Sequence, residues 1–143
     1  MGIDLGSARV GVALSDGSGT IASPHSVLKR KGKSDEYLHE LKSIVKEWEV
    51  ELIVVGLPLS LDGSMGPAAK SALHESKRMG VVTGVPIETY DERLTTVSAH
   101  HVLREQGVAG PDRKAVVDKI AASILLQSWL DGRNSTSDAY DKG

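Results

Sequence analysis

The chain has 143 residues, a size typical of a single domain. Hydrophobic residues make up 40% and charged residues 25%, so the chain can bury a core and is not a disordered protein over most of its length. Cysteine is absent, which excludes disulfides and thiolate metal sites. The net charge of −2 means that any nucleic-acid binding needs a local basic patch. No apolar run approaches the ~20 residues of a membrane span, so we expect a cytoplasmic protein that does not bind membranes.

The first part of the chain predicts an antiparallel meander. Apolar residues alternate with small ones over residues 2–6 and 9–14, as in two strands joined by a tight turn. After a glycine-rich turn, a short third strand is expected around residues 20–22, with Pro24 ending it.

Helices and buried strands then alternate. Ser34 is expected to cap an amphipathic helix whose apolar residues keep helical spacing as far as Trp48. The β-branched run over residues 52–55 predicts a strand that is buried on both faces and parallel to the first strand.

Two more helices and a last strand are expected before the final helix is reached. Pro67 fits the first position of a helix that reaches about Met79, and residues 86–90 form the last strand. Thr95 is expected to cap a further helix that extends through Leu103.

The final helix follows Pro111 and carries a stripe of apolar residues. The element order predicts an α/β fold, a mixed sheet with helices on its faces. We expect residues 1–131 to form the domain and residues 132–143, rich in Ser, Asp, Asn and Gly, to be a disordered tail.

Three acidic residues are candidates for a common site. Asp4 lies in the first strand, Glu92 follows the last strand, and Asp118 lies in the second turn of the final helix. Ala121 and Ala122 share the helix face of Asp118 and would let the helix approach the sheet. Taken singly, such acids are more often solvated turn or capping residues. Carboxylates that converge without a cationic partner are normally tolerated only around a hard cation, so the pattern predicts Mg²⁺ or Mn²⁺.

Four sequence blocks occur in one order over most of residues 2–131. They are GIDLGSARVGVA from Gly2, IVVGLPL from Ile53, DERLTT from Asp91 and VDKIAA from Val117. Together they resemble the YqgF/RuvX family, bacterial RNase H-like nucleases described as Holliday junction resolvases and as processors of the small-subunit ribosomal RNA precursor.

The resemblance implies an RNase H-like fold, a five-stranded mixed sheet with the first strand at its centre, and an acidic triad of Asp4, Glu92 and Asp118. Family members carry several residues before the block that begins here at Gly2, so we expect a short or truncated first strand. Two divalent ions ~4 Å apart would activate a water and stabilise the leaving oxygen of a phosphodiester. In that arrangement Asp4 bridges both ions, and Glu92 and Asp118 each hold one.

Two sets of cations are candidates for contacts with the nucleic-acid backbone. For Arg93 and Lys114 a solvated helix end is an equally open interpretation, and a solvated loop is the alternative for the basic stretch. The loop over residues 60–66 is a candidate flexible cover for the substrate, or a simple connector. The candidate cations are Arg9, Arg93 and Lys114 near the acids, and Lys29, Arg30, Lys31 and Lys33 in the densest basic stretch.

The sequence therefore predicts a metal-dependent nuclease, monomeric or homodimeric, that hydrolyses structured nucleic acid, either a ribosomal RNA precursor or branched DNA. A non-catalytic module for ribosome assembly or nucleic-acid binding would keep the same acids and remains open. A less favoured alternative is a fragment of an actin-like ATPase, which would use the Asp-x-Gly turn to hold phosphate but would need a second, similar domain.

Overall fold

The computed structural model describes residues 1–31, 35–97 and 111–141 and, within the last range, the side chains of residues 114–134. The predicted cap Ser34, the cation Lys33 and most of the helix expected from Thr95 lie outside the described residues. The described elements are β1 (Gly2–Leu5), β2 (Arg9–Ser15), β3 (Ala22–Lys29), α1 (Glu36–Glu47), β4 (Ile53–Leu57), α2 (Pro67–Thr83), β5 (Ile87–Asp91), a 3₁₀ turn (Glu92–Leu94) and α3 (Pro111–Asp141).

The five strands form one mixed sheet in the order β3-β2-β1-β4-β5. β2 is antiparallel to both β1 and β3, whereas β4 is parallel to both β1 and β5. The first strand is therefore central, and the predicted five-stranded mixed sheet is confirmed.

Helices cover both faces of the sheet. Side chains alternate between the faces along each strand, so neighbouring residues such as Val54 and Val55 enter different cores. α3 packs on one face, where Ala122 and Leu126 contact the sheet. The other face packs against α1 and α2, and its fully buried side chains include Ile3, Val10, Val12, Leu38, Leu41, Ile53, Val55 and Met79.

α1 is the predicted amphipathic helix. Its buried residues recur at helical spacing, because only one stripe faces the sheet. The helix begins at Glu36, and its N-cap residue is Asp35 where Ser34 was predicted.

β3 corrects the expectation for the third strand. The strand was expected around residues 20–22 and ended by Pro24, but it spans Ala22–Lys29. Pro24 lies opposite Ala13, beside an irregularity in the β2–β3 register. Because β3 is an edge strand, a residue without an N–H can be accommodated there.

Both long helices extend further than expected. α2 starts at Pro67 as predicted but continues past Met79 to Thr83, where Gly84 ends it in the left-handed conformation with φ 72°.

α3 continues through Asp141, so the tail expected to be disordered from residue 132 is helical that far. Growth of a helix that is already docked costs little, and the Arg133 guanidinium lies 5.1 Å from the Trp129 ring centroid. The domain boundary itself stays a prediction. No helix in the described ranges combines the length and apolar character needed to cross a membrane.

Candidate functional site

The register of the sheet places Asp4 between two glycines on the face that packs against α3. Asp4 lies opposite Gly11 of β2. On the other side of β1, Ile3 pairs with Val55 of β4. Asp4 follows Ile3 and Gly56 follows Val55, so Gly56 lies beside Asp4. We call Gly11, Asp4 and Gly56 the Asp4 row. The Asp4 residue is 1% exposed.

Gly11 lets α3 lie directly against β2. A Cβ at Gly11 would lie 2.1 Å from the Asp118 carbonyl oxygen and 2.6 Å from its carbonyl carbon, and these are backbone atoms. One turn further along α3, a Cβ at Gly2 would lie 2.9 Å from the carbonyl oxygen of Ala122. Glycines of the sheet therefore set the approach of the helix that carries Asp118.

Gly56 makes room for the carboxylate of Glu92. A Cβ at Gly56 would lie 2.7 Å from Glu92 Oε1. Glu92 opens the 3₁₀ turn after β5, and its backbone oxygen accepts hydrogen bonds from the N–H and the hydroxyl of Thr95 at 3.1 and 2.9 Å. The turn thus holds Glu92 over the Asp4 row.

The three predicted acids therefore lie on neighbouring elements and are all buried, with Glu92 4% and Asp118 0% exposed. Carboxylates are the hard oxygen ligands that Mg²⁺ and Mn²⁺ prefer, so the donor chemistry fits the predicted ions. Within the described ranges, however, no three His, Cys, Asp or Glu side chains are grouped closely enough to hold a metal ion. Metal ligation by Asp4, Glu92 and Asp118 stays a prediction.

The Asp118 carboxylate has a cationic partner. Arg9 Nε donates a hydrogen bond to Asp118 Oδ2 at 2.8 Å, across 109 positions of the sequence. The expectation that the acids would meet without a balancing cation is wrong for Asp118. A metal ion at this carboxylate would have to share it with Arg9.

Arg93 joins the loop between β4 and α2 to the end of β5. Its guanidinium donates to both carboxylate oxygens of Asp91, the shortest distance being 2.7 Å, and to the Leu61 carbonyl at 3.2 Å. The hydrogen bond from Arg93 is the main reason why the pKa of Asp91 is lowered. Inside the loop, the Ser60 N–H bonds to the Ser64 carbonyl at 3.0 Å. The loop is thus bonded internally and to Arg93.

The other predicted cations differ in their surroundings. Lys29 and Lys31 are exposed and can reach a ligand. Lys114 is half-buried and lies one helical turn before Asp118. Arg30 is also half-buried, and its guanidinium bonds inside the protein.

The RuvX family, described as Holliday junction resolvase, matches residues 1–132. The chain belongs to the RuvX family. Three relatives, each named "Putative pre-16S rRNA nuclease", show how closely it matches. The chain is 43% identical to the protein of Anaeromyxobacter sp. (strain Fw109-5), covering 94% of this chain and 98% of the relative. It is 43% identical to the protein of Mycobacterium sp. (strain KMS), covering 100% of this chain and 85% of the relative. It is 42% identical to the protein of Syntrophomonas wolfei, covering 92% of this chain and 93% of the relative.

Solved structures support the fold of this RuvX chain. Thermus thermophilus RuvC in complex with a Holliday junction substrate aligns with a TM-score of 0.53 and 16% identity, covering 94% of each chain. A second structure of Thermus thermophilus RuvC aligns with a TM-score of 0.50 and 18% identity over 94% and 95%. The RNase H-like fold expected from the resemblance is confirmed.

Two features of the site were not anticipated from the sequence. The sequence analysis did not predict the roles of Gly11 and Gly56. Alternate residues of a strand lie on the same face of the sheet, and this rule places both glycines on the face that packs against α3. The Arg9 to Asp118 ion pair has no local signal, because its members are remote in the chain.

Proposed function

We propose that this RuvX-family protein is a nuclease that hydrolyses phosphodiester bonds in structured nucleic acid, with Asp4, Glu92 and Asp118 as its catalytic carboxylates. The observation that carries the proposal is the Asp4 row. Its two glycines admit the Glu92 carboxylate on one side of Asp4 and the backbone of Asp118 on the other. The family description and the names of the relatives favour the same activity.

These three carboxylates would hold divalent cations, Mg²⁺ or Mn²⁺. When bound, two such ions supply an activated water and stabilise the leaving oxygen. The protein's own contribution is to keep the carboxylates buried and oriented, because electrostatic interactions are stronger at buried positions than in bulk water.

The cations near the acids have a complementary task. Arg9 orients the Asp118 carboxylate and remains 25% exposed. Lys114 lies one helical turn before Asp118, and Arg93, which is paired with Asp91, directly follows Glu92 in the chain. Positive charge at these positions would attract substrate phosphates toward the acids. Phosphate contacts of this kind position nucleic acid but carry no sequence information.

The substrate class is a ribosomal RNA precursor or a four-way DNA junction in the cytoplasm. The names of the relatives favour the RNA, whereas the family description favours the junction. Symmetric cleavage of a junction would require two equivalent sites and hence a homodimer, whereas trimming of one RNA end could be done by a monomer.

A nucleic-acid-binding module without cleavage is the second candidate. The Arg9 to Asp118 ion pair favours it, because this pair already balances the charge of one acid. Such a module would bind the same substrates and leave them intact.

One assay separates the two functions. Purified protein is incubated with Mg²⁺ or Mn²⁺ and with a four-way DNA junction, linear duplex, single strands and a ribosomal RNA precursor. We expect metal-dependent cleavage of at least one structured substrate, abolished by a chelator. Binding without cleavage in every reaction would overturn the nuclease and support the binding module.

The two exposed lysines of the basic stretch provide an independent test of backbone binding. Replacing Lys29 and Lys31 together by Ala should weaken binding to every nucleic acid by a similar factor. For duplex DNA, each lost phosphate contact should flatten the slope of log affinity against log salt by ~0.9. Fluorescence anisotropy at several salt concentrations measures both quantities.

The control for these lysines is the pair Lys42→Ala and Lys46→Ala. It removes the same charge from exposed positions of α1. We expect that pair to leave the slope unchanged. Equal effects of the two pairs would show that net charge alone matters and that Lys29 and Lys31 make no specific contact.

A further inference from the structure

Arg30 holds the turn between β1 and β2. Its Nη1 donates to the Gly6 carbonyl at 3.0 Å, and its backbone N–H donates to the Ala8 carbonyl at 2.9 Å. The Gly6 N–H in turn donates to the Arg9 carbonyl at 2.9 Å. This turn follows Asp4 by two residues and leads directly into Arg9, the partner of Asp118.

A buried carboxylate on α2 lies at the other end of the same guanidinium. Glu75 is 4% exposed, and its Oε2 lies 3.7 Å from Arg30 Nη2. Arg78 Nη1 donates to both oxygens of Glu75, at 3.0 and 3.2 Å. The Tyr37 hydroxyl donates to Glu75 as well, and the Arg30 guanidinium lies 5.8 Å from the Tyr37 ring centroid.

Tyr37 keeps its donor role at neutral pH. Burial, and then the hydrogen bond to Glu75, raise the pKa of Tyr37, so its hydroxyl stays protonated. Glu75 therefore has one neutral donor and two cations around it, and Arg30 is held between this carboxylate and the Gly6 carbonyl.

A gain in the free energy of unfolding does not explain this network of charged groups. Taking the Glu75 carboxylate out of water carries a desolvation penalty that its attraction to partly exposed guanidinium groups often fails to outweigh. What the network supplies is a single geometry. A guanidinium can donate from separate nitrogens in fixed directions, and here one points to Glu75 and another to the turn.

We propose that Arg30 is a positioning residue of the active site: anchored by Glu75, it fixes through the Gly6 carbonyl the turn that sets Asp4 and Arg9. This role differs from the direct contact with the nucleic-acid backbone expected from the sequence. It rests on the proposed nuclease function, because the turn serves the catalytic acids.

The test compares Arg30→Lys and Arg30→Gln in single-turnover cleavage and in equilibrium binding of the substrate that the wild type cleaves. Neither side chain has the forked geometry, so both should lower the cleavage rate constant on the order of 10- to 100-fold, as expected for misplaced catalytic groups. The dissociation constant and its salt slope should stay at the wild-type values. Hydrogen exchange at the Gly6 amide should accelerate, because the turn loses its anchor.

Arg78→Lys is the matched control. It disturbs the same Glu75 carboxylate but makes no contact with the turn. We expect it to keep the cleavage rate and the slow exchange of Gly6. An equal loss of rate in Arg78→Lys while Gly6 exchange stays slow would overturn the proposal, since the rate would then be lost without any loosening of the turn.

Two further outcomes would also overturn it. One is weaker binding with a flatter salt slope and an unchanged rate, which would make Arg30 a phosphate contact. The other is wild-type exchange of Gly6 in both Arg30 variants. If the wild type cleaves no substrate, the nuclease proposal fails separately, and Gly6 exchange alone decides whether Arg30 holds the turn.

Discussion

Asp4→Asn is expected to abolish cleavage while the fold and nucleic-acid binding persist. Asp4 is buried at the centre of the Asp4 row, between Gly11 and Gly56, and asparagine has about the same size but no charge to attract a cation. Losing several kcal/mol of transition-state stabilisation from a bound metal corresponds to a fall in rate of about 10³-fold or more. The free energy of unfolding should be unchanged or slightly higher, because one buried negative charge is removed.

Single-turnover cleavage, anisotropy and urea unfolding measure these three properties of Asp4→Asn. Glu88→Gln is the control, since Glu88 is an exposed carboxylate on β5 and should behave as wild type in all three assays. Cleavage by Asp4→Asn at the wild-type rate would mean that the catalytic site lies elsewhere.

Gly11→Ala is expected to destabilise the protein and to impair cleavage together. Its Cβ would lie 2.1 Å from the Asp118 carbonyl oxygen, and this atom belongs to the backbone of a long helix. Relief therefore requires α3 to move away from β2, which carries Asp118 away from the Asp4 row. Overpacking of this kind lowers the free energy of unfolding by about 1–3 kcal/mol, occasionally more.

Urea denaturation measures the change in the free energy of unfolding. Cleavage is measured at urea concentrations well below the denaturation midpoint, where the variant is folded. Gly17→Ala is the matched control, because a Cβ there meets no atom within 4 Å. If Gly11→Ala were as stable and as active as Gly17→Ala, the close approach of α3 to the sheet would not control the site.

Hydrophobic patterns in the sequence predicted helices and strands correctly where at least one face of the element is buried. α1 shows this well, since its buried residues Leu38, Leu41 and Val45 recur at helical spacing. β4 could be placed because a strand in the middle of a parallel region is buried on both faces and reads as a β-branched run. The three acids could also be proposed from their places after strands and on the final helix.

β3 shows where such patterns fail. Most of its residues are exposed or half-buried, so apolar alternation is weak, and Pro24 read as the end of a strand. Whether a proline can sit in a strand depends on whether that strand is at the edge of the sheet. The edge position of β3 follows from the pairing of all five strands, which a local pattern does not contain.

By itself the sequence determined the class of fold and, through its family resemblance, the central first strand. It also predicted a common site for Asp4, Glu92 and Asp118, and that common site stays a prediction. The tertiary structure alone decided which groups those acids meet. Asp118 bonds to Arg9 from 109 positions away, and Arg30 bonds to Gly6 and lies beside Glu75 rather than facing solvent with Lys29 and Lys31. The physical reason is that hydrogen bonds and close backbone approaches depend on positions within a few tenths of an ångström, which are set by the packing of helices on the sheet.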